Sequence, residues 1–177
     1  MKVVGFAGFS GSGKTTLVER LIPVFRLHGL RVSVVKHAHH RFDIDHVGKD
    51  THRHREAGAF EVVVASDQRL ALMREFEQTI ALSVHHLIAE LYEGVDWVLV
   101  EGFKDSDLLK IEVWRAESGK PARYKDDDFI AAIATDSPEA LPAPTQLDVL
   151  DINDADAVVA WLLGNADRFD YQPEKYE

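Results

Sequence analysis

The chain has 177 residues, 46% of them hydrophobic, which is enough to bury the core of one domain. Its formal net charge of −10 argues against a protein that binds long nucleic acids, because such proteins carry basic surfaces. It contains no cysteine, which excludes disulfides and thiolate metal sites, and no signal peptide or membrane span is visible, so we expect a cytoplasmic protein.

An apolar run at residues 3–7 predicts a buried β-strand. The residues that follow it, 8–15, fit the phosphate-binding pattern G-x-x-x-x-G-K-[ST]. Apolar residues then recur with a helical period as far as Gly29, and Pro23 should bend that helix. A second strand is expected at residues 30–36. The order of strand, loop, helix and strand predicts parallel pairing of the two strands.

The middle of the chain predicts a loop, a short helix and a β-hairpin. Residues 37–48 should form a loop that is rich in histidine and aspartate, after which Asp50 caps a helix running to about Glu56. Two β runs, residues 60–65 and 69–76, are close enough to pair across a tight turn.

The second half of the chain predicts more strands of the same sheet. Apolar residues from Ile80 to Leu91 have a helical spacing that stops at Gly94, and residues 95–100 form the continuous apolar run of a strand covered on both faces. Further strands are expected at 110–115, 129–134 and 147–150, a loop at 137–145, and a final helix capped by Asn153 or Asp154 and ending at 163–164.

These elements together predict an α/β fold of the P-loop NTPase type, in which a mostly parallel sheet is flanked by helices and carries a β-hairpin insertion. No break in composition marks a second domain, so we expect one nucleotide-binding domain at residues 1–164. Residues 165–177 are polar and resemble a mobile C-terminal tail.

The phosphate loop, residues 8–15, carries the chemistry of a nucleotide site. Its glycines let backbone N–H groups turn towards a polyphosphate whose oxygens would collide with a Cβ atom. Lys14 would reach the β- and γ-phosphates, and the Thr15 hydroxyl would bind Mg²⁺ at the N-terminus of the helix. The expected nucleotide contacts are Ser10, Gly11, Ser12, Gly13, Lys14, Thr15 and Thr16.

Two carboxylates follow buried strands further along the chain, at Glu101 and Asp136. Ligands of an open parallel sheet gather at the carboxyl ends of its strands. Glu101 would hold Mg²⁺ or orient an attacking water, which makes it the candidate catalytic residue; the alternative is an acidic residue that merely ends a strand. Asp136 would accept the two adjacent N–H donors of guanine, or it is a turn residue. The guanine signature [NT]-K-x-D is absent, and its nearest match, residues 124–127, precedes a strand.

A segment rich in histidine separates the second strand from the hairpin. Imidazole and carboxylate groups are good ligands for Zn²⁺ or Ni²⁺, but no pair here has the spacing of a known metal site. The segment is also locally basic on an acidic chain, which favours contact with an anionic ligand or partner over a solvated loop. The residues concerned are His37, His39, His40, His46, His52 and His54, with Asp43, Asp45 and Asp50, and the cations Lys36, Arg41, Lys49, Arg53 and Arg55.

The chain resembles the molybdopterin-guanine dinucleotide biosynthesis protein B family (MobB). The resemblance rests on residues 8–15, 36–40, 48–51, 57–59, 98–104 and 150–154. The Lys-His-x-His-His block and the Glu-Gly-Phe-Lys block are more particular to this family than the phosphate loop is.

The resemblance implies a homodimeric GTP-binding protein that assists the guanylyltransferase joining GMP to molybdopterin and hydrolyses GTP slowly. The transferase reaction itself would belong to the partner. Thr15 and Glu101 would hold Mg²⁺, and Gly48, Lys49, Asp50 and Thr51 would lie near the nucleotide. Lys36, His37, His39 and His40 are expected to face molybdopterin or the transferase.

Two other classes of function stay open at this point. A GTPase that delivers nickel or zinc would use the histidine-rich segment as its metal store. A small-molecule kinase would need a general base near its acceptor, for which Asp43 and Asp45 are the candidates.

Overall fold

The computed structural model describes residues 1–38 and 42–175. The chain divides into two compact units, Met1–His37 with Ser83–Glu177, and Ala38–Leu82. His39 and His40 lie outside the described residues. In chain order the elements are β1 (Lys2–Ala7), α1 (Lys14–Leu27), β2 (Val32–Lys36), α2 (Asp50–Glu56), β3 (Glu61–Ala65), β4 (Leu70–Arg74), α3 (Val84–Ala89), β5 (Trp97–Glu101), β6 (Lys110–Val113), β7 (Ile130–Thr135), β8 (Asp148–Asp151) and α4 (Ala155–Gly164).

The first unit is built on a six-stranded sheet with the order β2-β5-β1-β6-β7-β8. All neighbouring strands in it are parallel. Every residue of β5 and β7 is buried, as expected for strands covered on both faces. The predicted α/β fold, a parallel sheet flanked by helices with a separate hairpin, is confirmed.

Helices cover the sheet through two apolar clusters. The larger cluster joins Leu21 and Phe25 of α1 to Val158 and Leu162 of α4, with β-strand residues such as Val4 between them. The smaller cluster joins Val84 and Ile88 of α3 to strand residues that include Val98 and Val100. Among the described residues, no helix is long and apolar enough to cross a membrane.

The helix starts show how side chains fix element boundaries. Asp154 is the cap of α4, where its carboxylate accepts the Ala157 N–H at 2.9 Å. Helix α3 begins at Val84, later than the apolar spacing predicts, because Ser83 caps it and accepts the His86 N–H at 3.2 Å. The prediction that Asp50 caps α2 is wrong, since Lys49 holds the cap position and Asp50 is the first helical residue.

The prediction of a mobile tail from residue 165 is wrong for residues 165–171. Phe169 is only 2% exposed, and its ring lies 5.8 Å from that of Trp97. The Asp170 carboxylate accepts from Lys2 Nζ at 2.6 Å, and the Tyr171 N–H donates to the Met1 carbonyl at 3.1 Å. The buried aromatic ring of Phe169, together with these two polar contacts, therefore holds the segment against the first unit.

The second unit contains α2 and an antiparallel hairpin of β3 and β4. The predicted hairpin is confirmed, with the turn closed by a hydrogen bond from the Ser66 N–H to the Arg69 carbonyl at 2.7 Å. Val62 is buried, whereas Val63 and Leu70 are exposed, and α2 contributes no buried residue. Apolar packing within this unit is consequently slight.

We expect Phe169→Ala to lower the free energy of unfolding by about 3 kcal/mol, because a fully buried aromatic ring would leave a cavity beside Trp97. Urea denaturation followed by tryptophan fluorescence measures this loss. Glu174→Ala, at an exposed position of the same segment, is the control and should change stability by less than about 0.5 kcal/mol. Equal stability of the two variants would mean that the segment does not support the core.

Candidate functional site

The phosphate loop joins β1 to α1 with three glycines in left-handed conformations. The φ angles of Gly8, Gly11 and Gly13 are 145°, 83° and 97°. A Cβ atom on Gly8 would collide with the carbonyl oxygen of Val113, so this position accepts no larger residue without moving β6. Gly13 is the N-cap of α1, and among the described residues no side chain caps it, which leaves the first-turn N–H groups suited to an anion.

The Lys14 ammonium lies within this loop. Its Nζ donates to the carbonyl oxygens of Gly8 and Phe9 at 2.9 and 2.8 Å. Burial lowers the pKa of Lys14, the nearby Glu101 charge opposes that shift, and the Lys36 charge adds to it. The lysine is thus positioned by backbone carbonyls at the phosphate loop, where the sequence predicted it.

Thr15 and Glu101 come together although 86 positions separate them in the chain. The Thr15 hydroxyl donates to Glu101 Oε1 at 2.5 Å, and Lys36 Nζ lies 3.1 Å from the same oxygen. Glu101 is 8% exposed. It is the last residue of β5, whereas the sequence predicted that the strand ends one residue before it. The two predicted Mg²⁺ ligands are therefore adjacent.

The Lys-His block, which begins at Lys36, and the Glu-Gly-Phe-Lys block, residues 101–104, are in contact at the carboxyl ends of β2 and β5. The His37 N–H donates to the Glu101 carbonyl at 3.0 Å, and the His37 ring lies 4.7 Å from that of Phe103. Gly102 and Phe103 have φ angles of 97° and 48°, the latter a strained value for a residue with a side chain. A Cβ on Gly102 would come within 2.8 Å of His37 Cβ, so the close contact of the two blocks requires glycine there.

Asp136 follows β7 and is held by two neighbours. Arg115 Nε lies 3.4 Å from its carboxylate, and the Ser137 hydroxyl donates to it at 3.0 Å. The Arg115 guanidinium also packs near the phosphate loop, since a Cβ on Gly13 would be 3.5 Å from it. Asp136 is thus linked to the loop through a residue that the sequence analysis did not select.

Arg115 lies just after the carboxyl end of β6. Its position is similar to that of Glu101 at the end of β5 and of Asp136 after β7. The rule that ligands gather at the carboxyl ends of parallel strands applies equally to this arginine. It was missed because residues 110–115 were all assigned to a strand, whereas β6 ends at Val113.

Ser10, Gly11, Ser12 and Thr16 lie in the turn or at the start of α1, as predicted. The Ser12 hydroxyl is buried and has no hydrogen-bond partner among the described residues. Any contact of Ser12 with a ligand would consequently be through the backbone.

Gly48, Lys49, Asp50 and Thr51 belong to the second unit. Within that unit the Thr51 hydroxyl donates to Asp45 at 2.9 Å. Their expected contact with the nucleotide stays a prediction.

Arg55 binds three carboxylates of the second unit, those of Asp43, Asp45 and Glu75, at 3.1, 3.2 and 2.6 Å. The Asp45 N–H and Arg55 lower the pKa of Asp43. Burial acts in the opposite direction on Asp45, but hydrogen bonds from Thr51, the His46 N–H and Arg55 lower its pKa as well. Carboxylates with lowered pKa values are weak proton acceptors, so neither is suited to be the base of a kinase.

These ion pairs bear on the expectation of a locally basic segment. Arg55 is paired with three carboxylates, and Arg53 lies 3.7 Å from Asp50. The cations expected to bind an anion are therefore fewer than the sequence suggests.

Residues 3–136 match the family described as molybdopterin guanine dinucleotide synthesis protein B. The chain belongs to this family. The resemblance drawn from the two particular blocks and the phosphate loop is thereby confirmed.

Two relatives carry the name molybdopterin-guanine dinucleotide biosynthesis adapter protein. The protein from Escherichia coli (strain K12) is 40% identical over 168 residues, covering 90% of this chain and 93% of the relative. The protein from Haemophilus influenzae is also 40% identical, over 90% of this chain and 89% of the relative.

Solved structures of the family have the same fold. The MobB homologue from Bacillus stearothermophilus is 28% identical, with a TM-score of 0.68 over 94% of this chain and 99% of its own. A second structure, of molybdopterin-guanine biosynthesis protein B, is 26% identical, with a TM-score of 0.71 over 93% of this chain and 99% of its own.

We expect Arg55→Met to speed proteolytic cleavage within Ala38–Leu82, because three neighbouring carboxylates would lose their shared cation. Limited proteolysis with mass spectrometry measures the effect. The folded pKa values of Asp43 and Asp45 are lowered, so their stabilising contribution is present above the ordinary aspartate value of 3.8 and is lost as the pH falls below it. The difference in cleavage rate between Arg55→Met and wild type should therefore become smaller as the pH falls below 3.8.

The control is Arg53→Met, which removes the same charge from an arginine that is 75% exposed and makes one long ion pair. Equal cleavage rates for the two variants would show that Arg55 does not hold the second unit together.

Proposed function

We propose that this protein binds GTP with Mg²⁺ at the phosphate loop and acts as an adapter in molybdopterin guanine dinucleotide biosynthesis. The observation that carries the proposal is the contact of Thr15 with Glu101 directly behind the loop. A phosphate loop alone would serve many ligands, whereas a hydroxyl and a carboxylate side by side at its end suit the metal of a nucleoside triphosphate.

The residues present fit Mg²⁺. Mg²⁺ prefers oxygen ligands and takes one or two of them from protein, with phosphates and waters completing its shell. Thr15 Oγ1 and Glu101 Oε1 supply such oxygens, 2.5 Å apart. The ion would neutralise charge on the β- and γ-phosphates, while Lys14 and the N-terminus of α1 bind the same phosphates.

Selection of guanine is assigned to Asp136. Guanine offers two adjacent N–H donors to a carboxylate, and adenine does not. Asp136 follows β7 at the carboxyl edge of the sheet that carries the phosphate loop, and Arg115 links the two. This placement supports a base site beside the phosphate site.

Slow hydrolysis fits the surroundings of Glu101. The candidate catalytic oxygen already receives hydrogen bonds from Thr15 and Lys36, so it is better placed to hold a metal than to activate water. The protein would then use GTP mainly as a bound ligand. Family membership and the adapter names of relatives that span nearly the whole chain support a role as an assistant to another enzyme, which we assign to the guanylyltransferase. The homodimer implied by the resemblance is part of the same proposal.

The third ligand, molybdopterin or the transferase, is assigned to the segment that starts at Lys36 and His37 and includes His39 and His40. No observation favours the two alternative functions. Among residues 1–38 and 42–175, no group of three histidines or carboxylates is arranged to hold a metal ion, and the candidate bases of a kinase are bound to Arg55.

The proposal is tested first with Lys14→Ala, which should abolish binding of Mg²⁺–GTP and leave the fold intact, because Lys14 bonds to loop carbonyls and is not part of the apolar core. Calorimetric titration measures binding, and circular dichroism measures the fold. Lys125→Ala removes the same charge at an exposed position and should bind normally. GTP affinity equal to wild type in Lys14→Ala would refute the site.

Asp136→Ala should lower the affinity for GTP by about 2 kcal/mol or more and barely change the affinity for ATP, since charge-assisted hydrogen bonds to guanine alone are lost. Competition titrations with both nucleotides provide the measurement. Asp126→Ala, from the near-match to the guanine signature, is the control and should leave both affinities unchanged. Equal losses for GTP and ATP would mean that Asp136 matters only for the shape of its turn.

A further inference from the structure

Lys36 occupies an unexpected place in the candidate site. It is the last residue of β2 and pairs in register with Glu101 of β5. Its Nζ lies 3.1 Å from Glu101 Oε1 and 3.4 Å from Thr15 Oγ1. These are the two oxygens assigned to Mg²⁺, so the ammonium contacts both proposed metal ligands.

The Glu101 carboxylate depends on this contact. Its side chain is 11% exposed, and a carboxylate so little hydrated needs a cation nearby. Lys14 is engaged with the carbonyls of Gly8 and Phe9. Among the described residues, Lys36 is the cation in direct contact with a Glu101 oxygen.

An ammonium and a divalent cation compete for the same oxygens, because the two positive charges repel each other over this distance. The Lys36 side chain is 56% exposed and long, so it can leave Glu101 once a divalent cation neutralises the carboxylate in its place. A terminal phosphate bound at the phosphate loop would be the new negative charge within its reach.

We propose that Lys36 senses the nucleotide's terminal phosphate: it neutralises Glu101 in the free protein and transfers to the γ-phosphate when the Mg²⁺–triphosphate binds. The inference rests on the proposed function, since it takes the same site as given. Lys36 then favours triphosphate over diphosphate, and it competes with a divalent ion that arrives without nucleotide. This role is additional to the one proposed for the third-ligand segment that Lys36 begins.

The test uses Lys36→Met, which keeps a long unbranched side chain and removes its charge. Affinity for the non-hydrolysable triphosphate GMPPNP should fall about tenfold or more, while affinity for GDP should not fall, both measured with Mg²⁺ by calorimetry. Binding of Mn²⁺ without nucleotide, measured by electron paramagnetic resonance of the free ion, should become severalfold tighter than in wild type.

Two further variants make the result specific. Lys125→Met loses the same charge at an exposed position and should behave as wild type in every titration. Adding Glu101→Gln to Lys36→Met should remove the gain in Mn²⁺ affinity, because the carboxylate freed by Lys36 is no longer there.

The outcomes separate this inference from the proposed function. If wild type binds GMPPNP and GDP but Lys36→Met keeps the wild-type ratio of affinities, or its Mn²⁺ affinity does not rise, the sensor role is overturned and the GTP site stands. If wild type binds neither nucleotide, the proposed function fails and the sensor role fails with it.

Discussion

The parallel register of three strands is the constraint on which the site depends. Glu101 of β5 pairs with Phe6 of β1 on one side and with Lys36 of β2 on the other. Because parallel strands end at one edge, this register places the phosphate loop after β1 beside the carboxylate that ends β5, with the ammonium that ends β2 one strand further along. A slip of one residue in β5 would turn Glu101 to the opposite face of the sheet and break its contact with Thr15.

Much of this arrangement was predictable from the sequence, because its signals are local. The phosphate loop has a fixed spacing, and the strand before Glu101 is a continuous apolar run. Because ligands of a parallel sheet bind at the carboxyl ends of its strands, the sequence alone predicts that Lys14, Thr15 and Glu101 lie close together. Asp136 was found by the same rule, and Arg115 was missed only because its strand was drawn two residues too long.

What the sequence could not predict depends on contacts between distant residues. The anchoring of Phe169 on Trp97 is invisible in a polar stretch of chain, and so is the pairing of Arg55 with three carboxylates. A count of charges along the sequence leaves Arg55 as a free cation, whereas in the structure it is the centre of a cluster with three carboxylates and a net negative formal charge. In the second unit, where little apolar surface is buried, such a cluster is a main source of order.

The ion pair of Lys2 with Asp170 joins residues 168 positions apart, beside the hydrogen bond from Tyr171 to Met1. Met1 and Tyr171 therefore lie together at the amino end of β1, while the phosphate loop follows its carboxyl end. A fluorescent domain inserted beside either residue would stand at the far end of β1 from the phosphate loop. Because Met1 and Tyr171 are so close, the unit is suited to circular permutation. A short linker would join these two residues, and new termini would be placed in a surface turn.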